Sequence, residues 1–128
     1  MANARRNTEA AQRMAARRQR EEESPRLRAE IPRLQSLKLE IDEKRGEVLA
    51  GAAHVRHIVV DHAPALFVLH CSDRDCKDGG HDVTREVMAA LRRGETTFEG
   101  SHVCDGRVGP RECGAMLRYV GSAVYRPD

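Results

Sequence analysis

The sequence predicts an α+β fold: an N-terminal helical arm followed by a small ββαββ domain with a four-cysteine metal site at one sheet edge. Three observations predict it. Helix formers dominate the first part of the chain, apolar spacing turns from helical to two-fold near residue 53, and Cys71, Cys76, Cys104 and Cys113 all lie in the second half. At 128 residues, the length suits one domain with an appendage. Aromatic residues make up only 3% of the chain, so a large packed core is not expected.

Residues 1–24 read as a basic, Arg/Ala-rich arm, helical or disordered. NARRNTEAAQRMAARRQREEE contains neither Gly nor Pro. On a helix, Arg6, Arg13, Arg17 and Arg20 line one face at steps of seven, four and three. The other faces offer mostly Ala with Met14, too little apolar area to dock the helix firmly.

Residues 25–50 read as an amphipathic helix. Ser24 caps it and Pro25 takes its first position, while Leu27, Leu34, Ile41 and Val48 recur every seven residues. This heptad fragment could form a dimer seam over residues 25–48 or dock onto the chain's own sheet. Lys38 and Arg45 occupy the other seam positions, Pro32 removes a helical hydrogen bond, and Gly46 marks the end.

Residues 51–128 form the expected zinc-binding α+β domain. AHVRHIVVD and ALFVLHC alternate as strands, joined at His62-Ala63-Pro64-Ala65. DVTREVMAALRRG reads as a helix with Val83, Val87, Met88 and Leu91 on one face and Gly94 at its end. TTFEGSHVC and AMLRYVGSAVY supply the last two strands. Strand, helix and strand over 66–103 predict a right-handed βαβ unit with parallel strands. Cys71 and Cys104 would then stand at C-terminal strand ends on one rim, with Cys76 and Cys113 in the loops leaving it.

The cysteine spacing is C-x4-C, 27 intervening residues, then C-x8-C. The first pair is at the edge of zinc-knuckle spacing and the second is loose. Four thiolates converging on one rim suit a tetrahedral zinc ion in a closed structural site, which would help a small domain poor in aromatics to fold. Iron–sulfur, a disulfide or a redox switch through Cys71 and Cys76 are the alternatives. His81, near the mouth of the first loop, is a reserve ligand should the longer loop carry Cys113 away. His70 points to the opposite face from Cys71, and His102 lies back from the rim. The aspartates of HCSDRDCKDGGHD miss the calcium-loop pattern, because Thr84 stands where a bidentate Glu is needed.

Charge separates the segments. Residues 1–20 carry a net +5, residues 21–50 a net −2 and residues 51–128 a net −1. The body therefore lacks the cationic excess of a nucleic-acid domain, and the arm alone, over residues 5–20, is the expected contact for nucleic acid. Arginine-rich helices that order on RNA present such an array. NARRNTEAAQRMAARRQR is similar to the N-terminal arginine-rich peptides of phage antitermination proteins, and that resemblance implies RNA as the ligand. A four-cysteine domain beside a helical arm is also similar in outline to small bacterial transcription regulators, whose cysteine pairs are tighter.

No P-loop, G-x-S-x-G, H-E-x-x-H or deaminase motif occurs. No apolar run approaches the ~20 residues that span a bilayer, and the N-terminus lacks a signal-peptide core. The expectation is a non-enzymatic, cytoplasmic, zinc-stabilised interaction or regulatory module without membrane contact. A dimeric scaffold using the 25–48 helix and a thiol redox sensor are the alternatives.

Overall fold

Alternation, not heptad spacing, governs residues 34–45. Leu37, Leu39, Ile41 and Glu43 occur at every second position and are all buried, which is the signature of a strand with one face on the core. The computed structural model describes residues 2–49, 53–73, 75–77 and 79–127, with side chains from residue 11 onward and that of Thr8. It is a mixed α+β fold. Helix α1 (Ala2–Glu23) is followed by the single turn α2 (Leu27–Glu30) and the long strand β1 (Leu34–Arg45). Then come β2 (Val48–Leu49), β3 (His54–Ile58), β4 (Val68–Leu69), β5 (Cys76–Lys77), β6 (His81–Asp82) and α3 (Thr84–Arg92). The chain ends with β7 (Thr97–Val103), β8 (Arg107–Val108), β9 (Arg111–Glu112) and β10 (Met116–Tyr125).

The helix expected over 25–50 is thus corrected to one helical turn and a 12-residue strand. Pro32 limits the helix, and beyond it the two-fold pattern buries more apolar surface against the sheet than a seam could. Leu27, Leu34 and Ile41 do go inside, but Val48 is 72% exposed, so the four heptad positions share no common partner.

The main sheet is antiparallel, in the order β2-β1-β10-β7, with β3 also on β1. β1 and β10 pair along nearly their full lengths, from Leu34 opposite Tyr125 to Lys44 opposite Met116. Sparse aromatics are concentrated on the β7–β10 pair. Phe98 lies opposite Gly121 and Tyr119 opposite Gly100, and each ring fills the space a Cβ at the glycine would need. α3 covers the sheet with Val87, Met88, Ala90 and Leu91, joined in the core by Leu27, Leu39, Leu117 and Phe67. Gly94, at φ 73°, ends that helix as its sequence suggests.

The parallel βαβ unit is a second correction. β4 pairs antiparallel with β6, and β7 pairs antiparallel with β10. The Asp/Gly-rich loop turns the chain straight back, so β6 takes the edge of β4 before α3 begins. Phe67 is then held by the start of that helix, its N–H donating to Thr84 Oγ1 at 2.8 Å and its carbonyl accepting from Val83 N–H at 2.9 Å.

The C-terminal end of α1 is fastened to the body. Leu27 N–H donates to the Ala63 carbonyl and Ala65 N–H to the Pro25 carbonyl, while Arg20 pairs with Asp82 at 2.6 Å. Among the described residues, no helix is long and apolar enough to cross a membrane.

Burial makes a direct test of β1. Leu39→Ala should destabilise the protein by about 2–5 kcal/mol in denaturant titration, whereas Val48→Ala should change stability by less than about 0.5 kcal/mol. A heptad seam would give the opposite ranking, because Leu39 is not one of its positions.

Candidate metal centre

Each cysteine is placed by a short, well-hydrogen-bonded piece of backbone. Cys71 follows β4, Cys76 opens β5, and Cys104 and Cys113 directly follow β7 and β9. The eight-residue loop between the last two is not slack. β8 and β9 form a hairpin through Gly109, at φ 60°, and β5 adds to its edge as a third strand. Cys104 N–H donates to the Ala115 carbonyl at 2.8 Å and Cys113 N–H to the Gly106 carbonyl at 2.7 Å, so the base of the loop closes. The hairpin returns Cys113 to Cys104.

The four sulfurs all lie within 4.8 Å of one another. Cys71 and Cys113 are 3.6 Å apart at Sγ, and Cys76 and Cys104 are 3.7 Å apart. A tetrahedral ion bound by sulfur at about 2.3 Å requires edges of about 3.8 Å. These two edges match that length, and both far exceed the ~2.05 Å of a disulfide. The cluster can therefore hold a metal ion, at the four positions read from the sequence.

Two glycines make room for it. A Cβ on Gly79 would overlap the sulfurs of Cys76 and Cys104, and one on Gly106 would come within 2.6 Å of Cys76 Sγ. Gly79 and Gly106 also approach each other across the site. Their requirement is close backbone approach rather than unusual torsion angles.

Backbone amides point at the sulfurs. Gly106 N–H donates to Cys104 Sγ at 3.4 Å, and the amides of Asp73 and Ala115 act in the same way on Cys71 and Cys113. In all three the donor is two residues after its cysteine, which orients the sulfur and stabilises its thiolate. Arg45, at the end of β1, donates to Cys113 Sγ at 3.2 Å and pairs with Asp73 at 2.8 Å. Burial pushes the Cys76 thiol up to about 11, and pushes Cys71 higher still. Cys113 lies below its ordinary value: burial raises it, but the Ala115 amide and the neighbouring thiols outweigh that effect.

His81 is not part of the sulfur cluster, so the reserve-ligand reading is corrected. It is fully buried, with Nδ1 2.9 Å from His102 Nδ1 and Nε2 3.6 Å from Glu43 Oε1. Burial holds its imidazole below the ordinary value, against the opposing influence of Glu43. Glu43 is itself buried and accepts the Ser72 N–H on both carboxylate oxygens, at 3.0 and 3.2 Å. Ser72 follows Cys71, so this carboxylate fixes the backbone of the first loop. In the sequence, Glu43 and Gly106 have no visible part in the site, and Arg45 falls at a heptad seam position rather than beside a cysteine. The alternation of β1, which sets Glu43 on its inner face, was the signal available for the first.

The arginines of α1 lie apart from the cysteines' inner shell. Arg17 pairs with Glu21 at 3.4 Å, Arg20 with Asp82, and Arg13 faces the space between α1 and the body. Arg6 belongs to the helix, but its side chain is outside the described residues.

Fold and site together define a mixed α+β protein with a closed four-cysteine cluster. No protein-family model, curated protein or solved structure matches the chain.

Gly79→Ala and Gly106→Ala should each weaken metal retention on the order of 10- to 100-fold in chelator competition, as outer-shell changes do. Glu43→Ala leaves the Ser72 amide and His81 without their carboxylate. Chemical denaturation should register a loss of about 1–3 kcal/mol, and an unchanged midpoint would refute the role given to Glu43.

Proposed function

We propose that the four cysteines hold a structural zinc ion and that the module so stabilised contacts nucleic acid through the arginines of α1. The observation that carries the first half is the sulfur geometry, two edges of 3.6 and 3.7 Å within a cluster no wider than 4.8 Å. An all-sulfur donor set favours a borderline-soft ion, and four protein ligands leave no position for a reacting water. Four thiolates around a divalent cation carry surplus negative charge, which the Arg45 guanidinium and three amides offset. Zinc would then contribute directly to folding free energy.

The second half rests on charge and placement. Arg13, Arg17 and Arg20 project from a helix whose side chains are largely solvent-exposed, on a segment with net charge +5 over the first twenty residues. Phosphate is the natural counterpart of such an array, and its attraction is salt-dependent.

Native mass spectrometry of the purified protein, with thiol counting, tests the metal. One zinc per chain and thiols that titrate only after chelation are expected, whereas four freely titrating thiols without metal would point to a redox-active cluster instead. Electrophoretic shift of mixed RNA and DNA tests the contact. The shift should weaken steeply with salt and disappear when Arg13, Arg17 and Arg20 are changed together to Ala. Equal shifts by the two proteins would exclude α1 as the contact.

A further inference from the structure

A cavity of about 1010 Å³ separates α1 from the β3–β4 side of the body. One wall carries Arg13, Arg17 and Arg20, and the other carries Arg56 of β3. The floor is apolar, formed around Leu66, Phe67 and Val68, and one end reaches the cysteine site at Cys71 and Cys76. Among the described residues, Glu21 is the only acidic one lining it. Arg17 and Arg20 have acid partners, but Arg13 and Arg56 make no ion pair among the described residues.

The cationic walls face a common space. Arg17 and Arg56 come from separate elements, α1 and β3, and both line this space together with His57 and His70. Four arginines thus border it, against one acidic residue among the described ones. Apolar side chains border the same space, Met14 at 61% and Val59 at 66% exposure. An occupant that complements both features must be anionic along its length and carry flat or apolar groups.

We propose that the cleft is a single-strand nucleic-acid site, with the sugar–phosphate backbone running between α1 and Arg56 and the bases lying on the apolar floor against His57 and His70. This rests on the nucleic-acid reading of α1 and narrows it to a ligand class and a location. Imidazoles and arginines supply the stacking and phosphate contacts by which proteins hold unpaired bases. A space of this volume is about 10 Å on a side, whereas a duplex is broader than its own ~12 Å major groove, so double-stranded nucleic acid does not enter it. An acidic peptide would satisfy the charge, but it has no use for the imidazole faces.

Fluorescence anisotropy on the full-length, metal-loaded protein tests the proposal. The probes are labelled single strands of about 10 nucleotides, uridine RNA and thymidine DNA, with a duplex of equal length and a polyglutamate peptide. Single strands should bind at low salt at least tenfold more tightly than the duplex; the RNA and DNA arms identify the preferred sugar. Arg56→Glu should weaken binding at least tenfold, and Arg56→Ala should reduce the salt slope by about one. Arg118→Glu, an equal charge reversal at an exposed position of β10, should change affinity less than threefold. His70→Ala should weaken binding and His70→Phe, which keeps a stacking face, should restore it. Circular dichroism and zinc content verify folding; should Arg56→Glu misfold, Arg13→Glu takes its place. Duplex binding as tight as single-strand binding, or indifference to Arg56, overturns the cleft while leaving α1 as a nucleic-acid contact. Binding of polyglutamate alone, or of no probe, overturns both.

Discussion

The short strands β5, β8 and β9 and the backbone around Cys71 and Cys104 are organised around four sulfurs gathered within 4.8 Å of one another. The sulfurs come from four separate chain positions, and no pair has the tight spacing that would impose the geometry locally. Convergence is therefore supplied by backbone pairing. β5 joins the β8–β9 hairpin, Cys104 pairs with Ala115, and Gly79 packs on Gly106 without room for a side chain between them. Very short strands, each too small to persist alone, are stabilised by sharing the site they build.

This arrangement also explains how so few aromatic residues suffice. The core proper lies between α3 and one face of the β1–β10 sheet, and Phe98 and Tyr119 extend it by covering glycines on neighbouring strands. A second, smaller cluster holds Cys104, Cys113 and Ala115 beyond the reach of that core. Sulfur fills there the place that large side chains would otherwise take. Glu43 connects the two regions, because it belongs to β1 yet binds the backbone beside Cys71.

Charge is divided between two settings with different consequences. Arg45 is directed at a sulfur and an aspartate, so its charge serves the centre. Arg13 and Arg56 line the cleft between α1 and the body from separate elements, apart from the centre. Counting charges along the chain misses the second pair, since residues 51–128 are slightly acidic overall although Arg56 lies opposite the basic helix.

By itself the sequence determined the mixed class, the basic charge of the N-terminal arm, α3 with its buried face and Gly94 stop, and the four cysteines as a set. These features depend on neighbours within a few residues or on residue chemistry. Residues 34–45 supported two periods at once, every seven through Leu34 and Ile41 and every two through Leu37, Leu39 and Ile41. Only the tertiary structure decided between them, because β10 offers a complementary edge along nearly the whole segment and no local property reveals that edge. The same holds for the direction of β4, the closing of the C-x8-C loop and the inward turn of His81. Each was decided by what lay across the gap, and pairing energy between distant segments cannot be read from either segment alone.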